Sequence, residues 1–487
     1  MRLGRTLALY FHSTLFWLCL CVVALGVVGA IESHGPVLGS DVNVLLTYAI
    51  LGVISISGIA CAVKQHPYSL NMVHWVTVFV FFFLAPLAQY LQDTFPTRLV
   101  AGQSTSDILY TNALLIIWTG CYGASYCVRM RRNQRRIVVC APSGDALAWK
   151  RIRVTGTGVR LSLLLSFVAL TVFLAVFGTS GLATRGAYER VLFGGEIDST
   201  PVQLILSNVI RGIPVLFLAA LLVTKRHWKR RIQWWMYVVV GVVINLIINN
   251  PLGAARYWSG SLLVGFAVLL WFRRRRSGVW FAAALIAGLV LVAPVINNAR
   301  HMDIGEFSVR SFSLVDPIRA LTVGDLDAYE MMVHTVQYTR DPGTATWGHQ
   351  FVGSLLFWMP RSIWPSKPIG SGHLVAAAFG FENVNVSCPL PAEGYVNFLT
   401  AGVIALACGL GWLLATLDHA YWRQEGRPLD RQGDLPPSLL HVVYPFLLGF
   451  LVFIMRGDMM SSVSYAVLFI VGGLPLLMPR LGMTRPR

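Results

Sequence analysis

Apolar residues occur along this chain in long runs, separated by short polar stretches rich in arginine, proline and glycine. A helix rises about 1.5 Å per residue, so about 20 apolar residues cross a hydrocarbon core. Runs near that length lie at residues 1–30, 42–63, 71–89, 108–128, 161–177 and 202–223. Six more follow at 233–248, 259–272, 279–296, 395–417, 439–455 and 461–478. The pattern predicts an all-α polytopic membrane protein with about twelve transmembrane helices. The first run opens on Arg2 and Arg5 and shows no small-residue cleavage pattern. It reads as a helix with a cytoplasmic N-terminus rather than a cleaved leader.

Charge sorts with this topology. The segments placed in the cytoplasm hold 27 of the 39 Lys and Arg but 5 of the 22 Asp and Glu; the remainder hold 12 and 17. That is the positive-inside distribution, and it puts both termini in the cytoplasm. Every strong basic cluster, including 131–136, 229–231 and 273–276, falls on that side. The formal net charge of +17 therefore marks topology beside anionic lipid and gives no reason to expect nucleic acid. With 55% hydrophobic residues, 13% charged residues and a mean hydropathy of +0.63, the composition agrees. The eight cysteines show neither a disulfide framework nor metal-site spacing.

The same topology makes residues 1–487 a single membrane domain with one elaborated loop, 297–394, on the outer face. Loops of that length in a compact fold are uncommon and usually functional. Within it, 348–359 is apolar but too short to span, and reads as a re-entrant or interfacial helix stopped by Pro360. Residues 314–338 carry mixed helical periodicity and predict short helices.

The chemistry gathers between Leu356 and Phe398. Pro360, Pro365 and Pro368 forbid a continuous helix, and they brace Arg361 and Lys367 beside Trp358 and Trp364. An arginine fork and a lysine point charge suit phosphate oxygens, while tryptophan favours the headgroup level. The segment reads either as a site for a lipid-linked phosphate or as an aromatic belt in ordinary headgroup contact. Arg211 falls inside the sixth run, where a charge faces a polar cavity or snorkels. Arg256 and Arg456 stand at outer boundaries, and convergence of these five cations would form an electropositive pocket.

Glu393 and His373 are the acid–base candidates, with Asp325, Asp327 and Asp458 behind them. Glu393 precedes the tenth run, where it is equally suited to capping, and His373 follows the flexible-looking Gly370-Ser371-Gly372. Asp325-Leu326-Asp327 has the spacing of a metal-binding pair but also of acids that begin a helix. No phosphate-binding Gly-x-x-x-x-Gly-Lys, Gly-x-Ser-x-Gly elbow or His-Glu-x-x-His is present. ATP-driven transport, serine hydrolysis and zinc proteolysis lose support accordingly.

These blocks resemble a known family. Residues 357–368, Gly370 to Gly372, Ser387-Cys388-Pro389, Glu393-Gly394-Tyr395-Val396-Asn397-Phe398 and Arg456-Gly457 are similar to motifs of the Wzy-type O-antigen and oligosaccharide repeat-unit polymerases. The likeness runs from Asp325 to Asp458; Leu399-Thr400-Ala401 stand before Gly402, where members often carry glycine directly after Asn-Phe. The resemblance implies an inverting glycosyltransferase of the GT-C type, embedded in the cytoplasmic (inner) membrane and needing no metal or other cofactor. Its substrates would be undecaprenyl-pyrophosphate-linked oligosaccharides, and its partners membrane lipids, a flippase and a chain-length regulator. On this reading Arg361, Lys367, Arg256, Arg456 and Arg211 hold pyrophosphate, and Glu393 or His373 is the base. Trp364, Tyr395 and Asn397 contact substrate. A ligase of the same layout, or a transporter of lipid-linked oligosaccharides, is the alternative.

Overall fold

The computed structural model describes residues 41–96, 104–139, 154–177, 201–228, 230–251, 253–272, 278–293, 321–322, 326–425 and 437–477. The expected first span, the segment 294–320 and Asp325 lie outside them. Among the described residues the fold is all-helical, as expected for a membrane protein. Eight helices form the first part: α1 (Val42–Gln65), α2 (Leu70–Leu91), α3 (Thr105–Val139), α4 (Gly156–Phe177), α5 (Pro201–Val223), α6 (Arg231–Ile248), α7 (Arg256–Leu270) and α8 (Gly278–Val292). Three short helices follow in the large loop: α9 (Ala328–Tyr338), α10 (His349–Leu355) and α11 (Ser371–Ala378). The chain closes with α12 (Leu390–Glu425), α13 (Leu439–Arg456) and α14 (Met459–Val471). Seven helices among the described residues are long and apolar enough to cross a membrane, and α5, α7 and α8 contribute shorter apolar stretches.

Local sequence explains the ends. Asp41 accepts from the Asn43 amide at 2.7 Å to cap α1, and Ser69 accepts from Met72 at 3.1 Å to cap α2. Pro67 lies in the short turn between them, where no helix amide is needed. The bundle has two apolar cores. One gathers α1, α2, α3, α8, α9 and α12, with Val268 of α7; the other gathers α4, α5, α6, the rest of α7 and α14. α13 belongs to both, presenting Leu448, Leu451 and Met455 to the first and Phe446, Phe450 and Phe453 to the second.

Three expectations need correction. The tenth run is not one helix. α12 breaks at Phe398 (φ −145°, ψ 26°) and Leu399 (φ 52°, ψ −145°), so a short limb, 390–397, is folded sharply against a long one, 400–425. The elbow exists because two glycines let backbones touch: a Cβ on Gly402 would stand 2.0 Å from the Gly394 carbonyl oxygen. Gly402→Ala is expected to cost about 1–3 kcal/mol or more, since neither side can rotate away. Gly409→Ala on the same limb meets open space and should be neutral or stabilising. Thermal unfolding of the two variants in one detergent checks this; equal midpoints would remove the steric argument.

The loop helices are also less peripheral than expected. α9 is buried from Ala328 through Val336, because one face enters the first core and the other meets α11. Its Tyr329 hydroxyl donates to Asn112 at 2.9 Å, and Arg340 beyond it pairs with Asp107. α10 ends at Leu355, ahead of Pro360, with Val352 and Leu355 exposed. Finally, Asp418, which the charge pattern groups with the cytoplasmic segment 418–434, belongs to no cytoplasmic loop. It is fully buried on α12, accepting from the amides of Leu70 and Asn71 and the hydroxyls of Tyr126 and Tyr444.

Candidate functional site

The turn between α13 and α14 is the centre of the candidate site. α13 ends at Arg456, Gly457 bonds back to the Phe453 carbonyl at 2.7 Å, and Asp458 caps α14 by accepting from Met460 at 2.9 Å. Asp458 also accepts from the Gly372 amide at 3.2 Å, so one carboxylate serves the N-termini of α14 and α11 together. Glu393 on the short limb of α12 does the same with its two oxygens. Oε1 accepts from the Met459 amide at 2.8 Å and Oε2 from the Ser371 hydroxyl at 2.6 Å. Two carboxylates thus bridge two helix N-termini, whose partial positive charge favours them.

This corrects the reading of 370–372 as flexible. Gly370 is the N-cap residue of α11, and Ser371, Gly372 and His373 are its first turn. The glycines admit close neighbours: a Cβ on Gly370 would lie 2.2 Å from Asp458 Oδ2, and one on Gly372 would lie 2.6 Å from the Val386 carbonyl. Glu393 likewise caps α14 and not the start of its own helix, and at 1% exposure it is closed off from solvent. Burial raises the Asp458 carboxyl above its ordinary range, against the amides that favour its ionised form. It also raises the nearby Cys388 thiol, and the charges of Glu393 and Asp458 add to that, leaving an inert sulfhydryl.

The cations form separate groups. Arg456 pairs with Asp327 at 2.9 Å, both buried, and its guanidinium lies 4.9 Å above the Tyr257 ring. Asp327 also accepts from the Ser387 amide at 3.2 Å. Arg256, at the first position of α7, is close enough to Arg456 for the two charges to repel.

Arg361 and Lys367 form a second group whose geometry differs from an open anion site. The Lys367 ammonium donates to the carbonyls of Phe357 at 2.6 Å and Met359 at 3.1 Å, and the exposed Arg361 donates to the Lys367 carbonyl at 2.9 Å. Lys367 is buried, which lowers its pKa, with the Arg361 charge as the second cause. The proline block is therefore a loop that holds itself shut, leaving most of the Arg361 fork outward. Trp364 donates to Ser366 at 3.0 Å and meets His349 edge-on, while Trp358 is exposed.

Arg211 stands apart. Its neighbour Gly212 packs on Phe469, ten residues beyond Met459 and so about 15 Å along α14. The buried guanidinium lies 5.9 Å from the Phe173 ring, and the Arg211 carbonyl accepts from Asn249, whose oxygen accepts from Trp258.

The remaining candidates have definite places. Asn397 is buried at the elbow, donating to the Glu393 carbonyl and accepting from Thr346 at 3.0 Å, so it ties the approach to α10 onto α12. Tyr395 donates to Tyr110 at 3.3 Å. His373 is half-buried and its ring, among the described residues, makes no hydrogen bond. The structure thus brings together Glu393 with Asp458, Arg256 with Arg456, and Arg361 with Lys367. Sequence reasoning left Asp458 in the background and missed Ser371; the Asp at a boundary between two apolar runs was the available signal for the first. No protein-family model, curated protein or solved structure matches the chain.

Proposed function

We propose that the chain polymerises undecaprenyl-pyrophosphate-linked oligosaccharide repeat units on the outer face of the cytoplasmic membrane, in surface-polysaccharide biosynthesis. One observation carries the reading. The blocks that resemble the Wzy-type polymerases, distant in sequence, pack into one unit: Glu393 bonds to Met459, Asp458 to Gly372, and Pro368 fits against Gly353 beside Met460.

In the reaction, a hydroxyl oxygen of the incoming repeat unit attacks the anomeric carbon of the growing chain. The bond from that carbon to the pyrophosphate oxygen breaks, and undecaprenyl pyrophosphate departs with the electron pair. Fixed cations stabilise that developing charge. Arg361, with its fork outward, and the Arg256–Arg456 pair are the groups for it. His373 takes the hydroxyl proton in this scheme, having a ring without a competing hydrogen bond. Glu393, both oxygens engaged, holds α11 and α14 in register around the site. Lys367 keeps the proline loop closed, Asn397 keeps the elbow, and Trp364 and Tyr395 line the sugar path. The topology of this reading has both termini in the cytoplasm.

A transporter of lipid-linked oligosaccharides is the second reading, and the broken α12 favours it, since discontinuous helices often mark transport sites. Gene deletion followed by gel analysis of surface glycans separates them. Collapse of the ladder to single repeats is the expected result. Complete loss of capped lipid would mark a ligase, and cytoplasmic accumulation of lipid-linked units a flippase.

A further inference from the structure

α2 is the most enclosed of the spans, with 94% of its apolar window buried inside the protein. Its polar residues therefore face other side chains and not lipid. His74 is fully buried, and neither ring nitrogen has a hydrogen-bond partner. The imidazole lies flat on Tyr122 of α3, with ring centroids 3.3 Å apart and planes 13° from parallel. One helical turn earlier on the same face of α2, the Asn71 oxygen accepts from the Tyr122 hydroxyl at 3.0 Å. Asn71 then leads to Asp418, which takes the Asn71 main-chain amide at 3.1 Å and the Tyr126 hydroxyl at 2.9 Å. One turn from Tyr122 toward the start of α3, the Trp118 indole N–H is also buried without a partner.

Orphaned polar atoms rarely occur singly in well-packed interiors, and a group of them has an ordinary remedy. A buried water makes about three hydrogen bonds to groups that would otherwise stay unpaired, provided the site is polar. Here an imidazole with two orphaned nitrogens lies on the Tyr122 ring, and an orphaned indole N–H stands one turn from Tyr122 along α3. A metal is a poor occupant, since no group of three His, Cys, Asp or Glu side chains surrounds the histidine among the described residues.

We infer that His74, Asn71, Trp118 and Tyr122 enclose an internal hydration site, in which ordered water bonds the imidazole beside the Tyr122–Asn71 hydrogen bond. The site shares no residue with the candidate glycosyl-transfer site, and it does not depend on that reading. Its ligand is water, and its consequence is a hydrated titratable ring in the same buried polar cluster as the Asp418 carboxylate.

Hydroxyl-radical footprinting by pulsed radiolysis of the full-length protein in nanodiscs tests this, because radicals form from water held inside the fold. Trp118 and Tyr122 are expected to label about tenfold faster than Phe79, Phe82 and Phe217, which are equally buried and carry no polar side-chain atom to hold water. Rates no higher than those references would overturn the proposal. His74→Phe keeps the stacked ring and removes both nitrogens, so Tyr122 labelling should fall to the reference rate. Undiminished labelling in that variant would remove the histidine from the site. Should it fail to fold, the native comparison of Trp118 and Tyr122 with the three phenylalanines decides alone.

Discussion

Alanine in place of Arg456 is expected to destabilise the folded protein by about 3–5 kcal/mol. The guanidinium and the Asp327 carboxylate are both buried and bonded at 2.9 Å, so removing one leaves the other charged and desolvated. The lost contact with Tyr257, itself stacked on Phe453 at 4.4 Å, adds to the deficit. Arg340→Ala provides the contrast. Arg340 also pairs with an aspartate, Asp107, but its side chain is 61% exposed and Gln337 and Ser104 still donate to that carboxylate, so its loss should cost about 1 kcal/mol. Unfolding midpoints by fluorescence-detected size exclusion should separate the two variants clearly. Combining Arg456→Met with Asp327→Leu should recover much of the loss, because replacing a whole buried pair with apolar groups is often neutral. Failure of the double variant to recover would mean that the pair holds more than its own charges.

Arg361→Ala is expected to abolish polymer while leaving the protein folded and abundant. Its side chain is exposed and gives one hydrogen bond, to the Lys367 carbonyl, so little of the fold depends on it. Lys367→Met should behave in the opposite way. It strands the Phe357 and Met359 carbonyls, each costing about 1–3 kcal/mol if left unpaired, and so loosens the loop. The pair of variants separates a ligand from a brace: glycan ladders read the first, and limited proteolysis between residues 356 and 370 reads the second. Normal polymer from Arg361→Ala would take the arginine out of the proposed site.

Hydropathy made most spans legible, because burial in hydrocarbon demands long apolar helices whatever their partners. It could not show the elbow at Phe398–Leu399, since both limbs are apolar and the break is licensed by Gly394 meeting Gly402, a contact between backbones. Nor could it show that Lys367 turns inward. Its charge suggested an anion, but carbonyls of its own loop are the partners, and backbone acceptors leave no mark in sequence. Glu393 was conspicuous as an acid at a span boundary. What it bonds to was set by the approach of α11 and α14, which only packing reveals.

The late helix α13, which lines both cores, also orders events in time. α13 comes next to last among the described helices, yet its opposite faces complete α1–α3 on one side and α4–α7 on the other. A chain emerging from the ribosome inserts its earlier helices with a missing wall in each half, and neither half closes until residues 439–456 arrive. Membrane insertion and final packing are therefore separate stages, and truncation before Leu439 leaves two unfinished interiors for quality-control proteases to find.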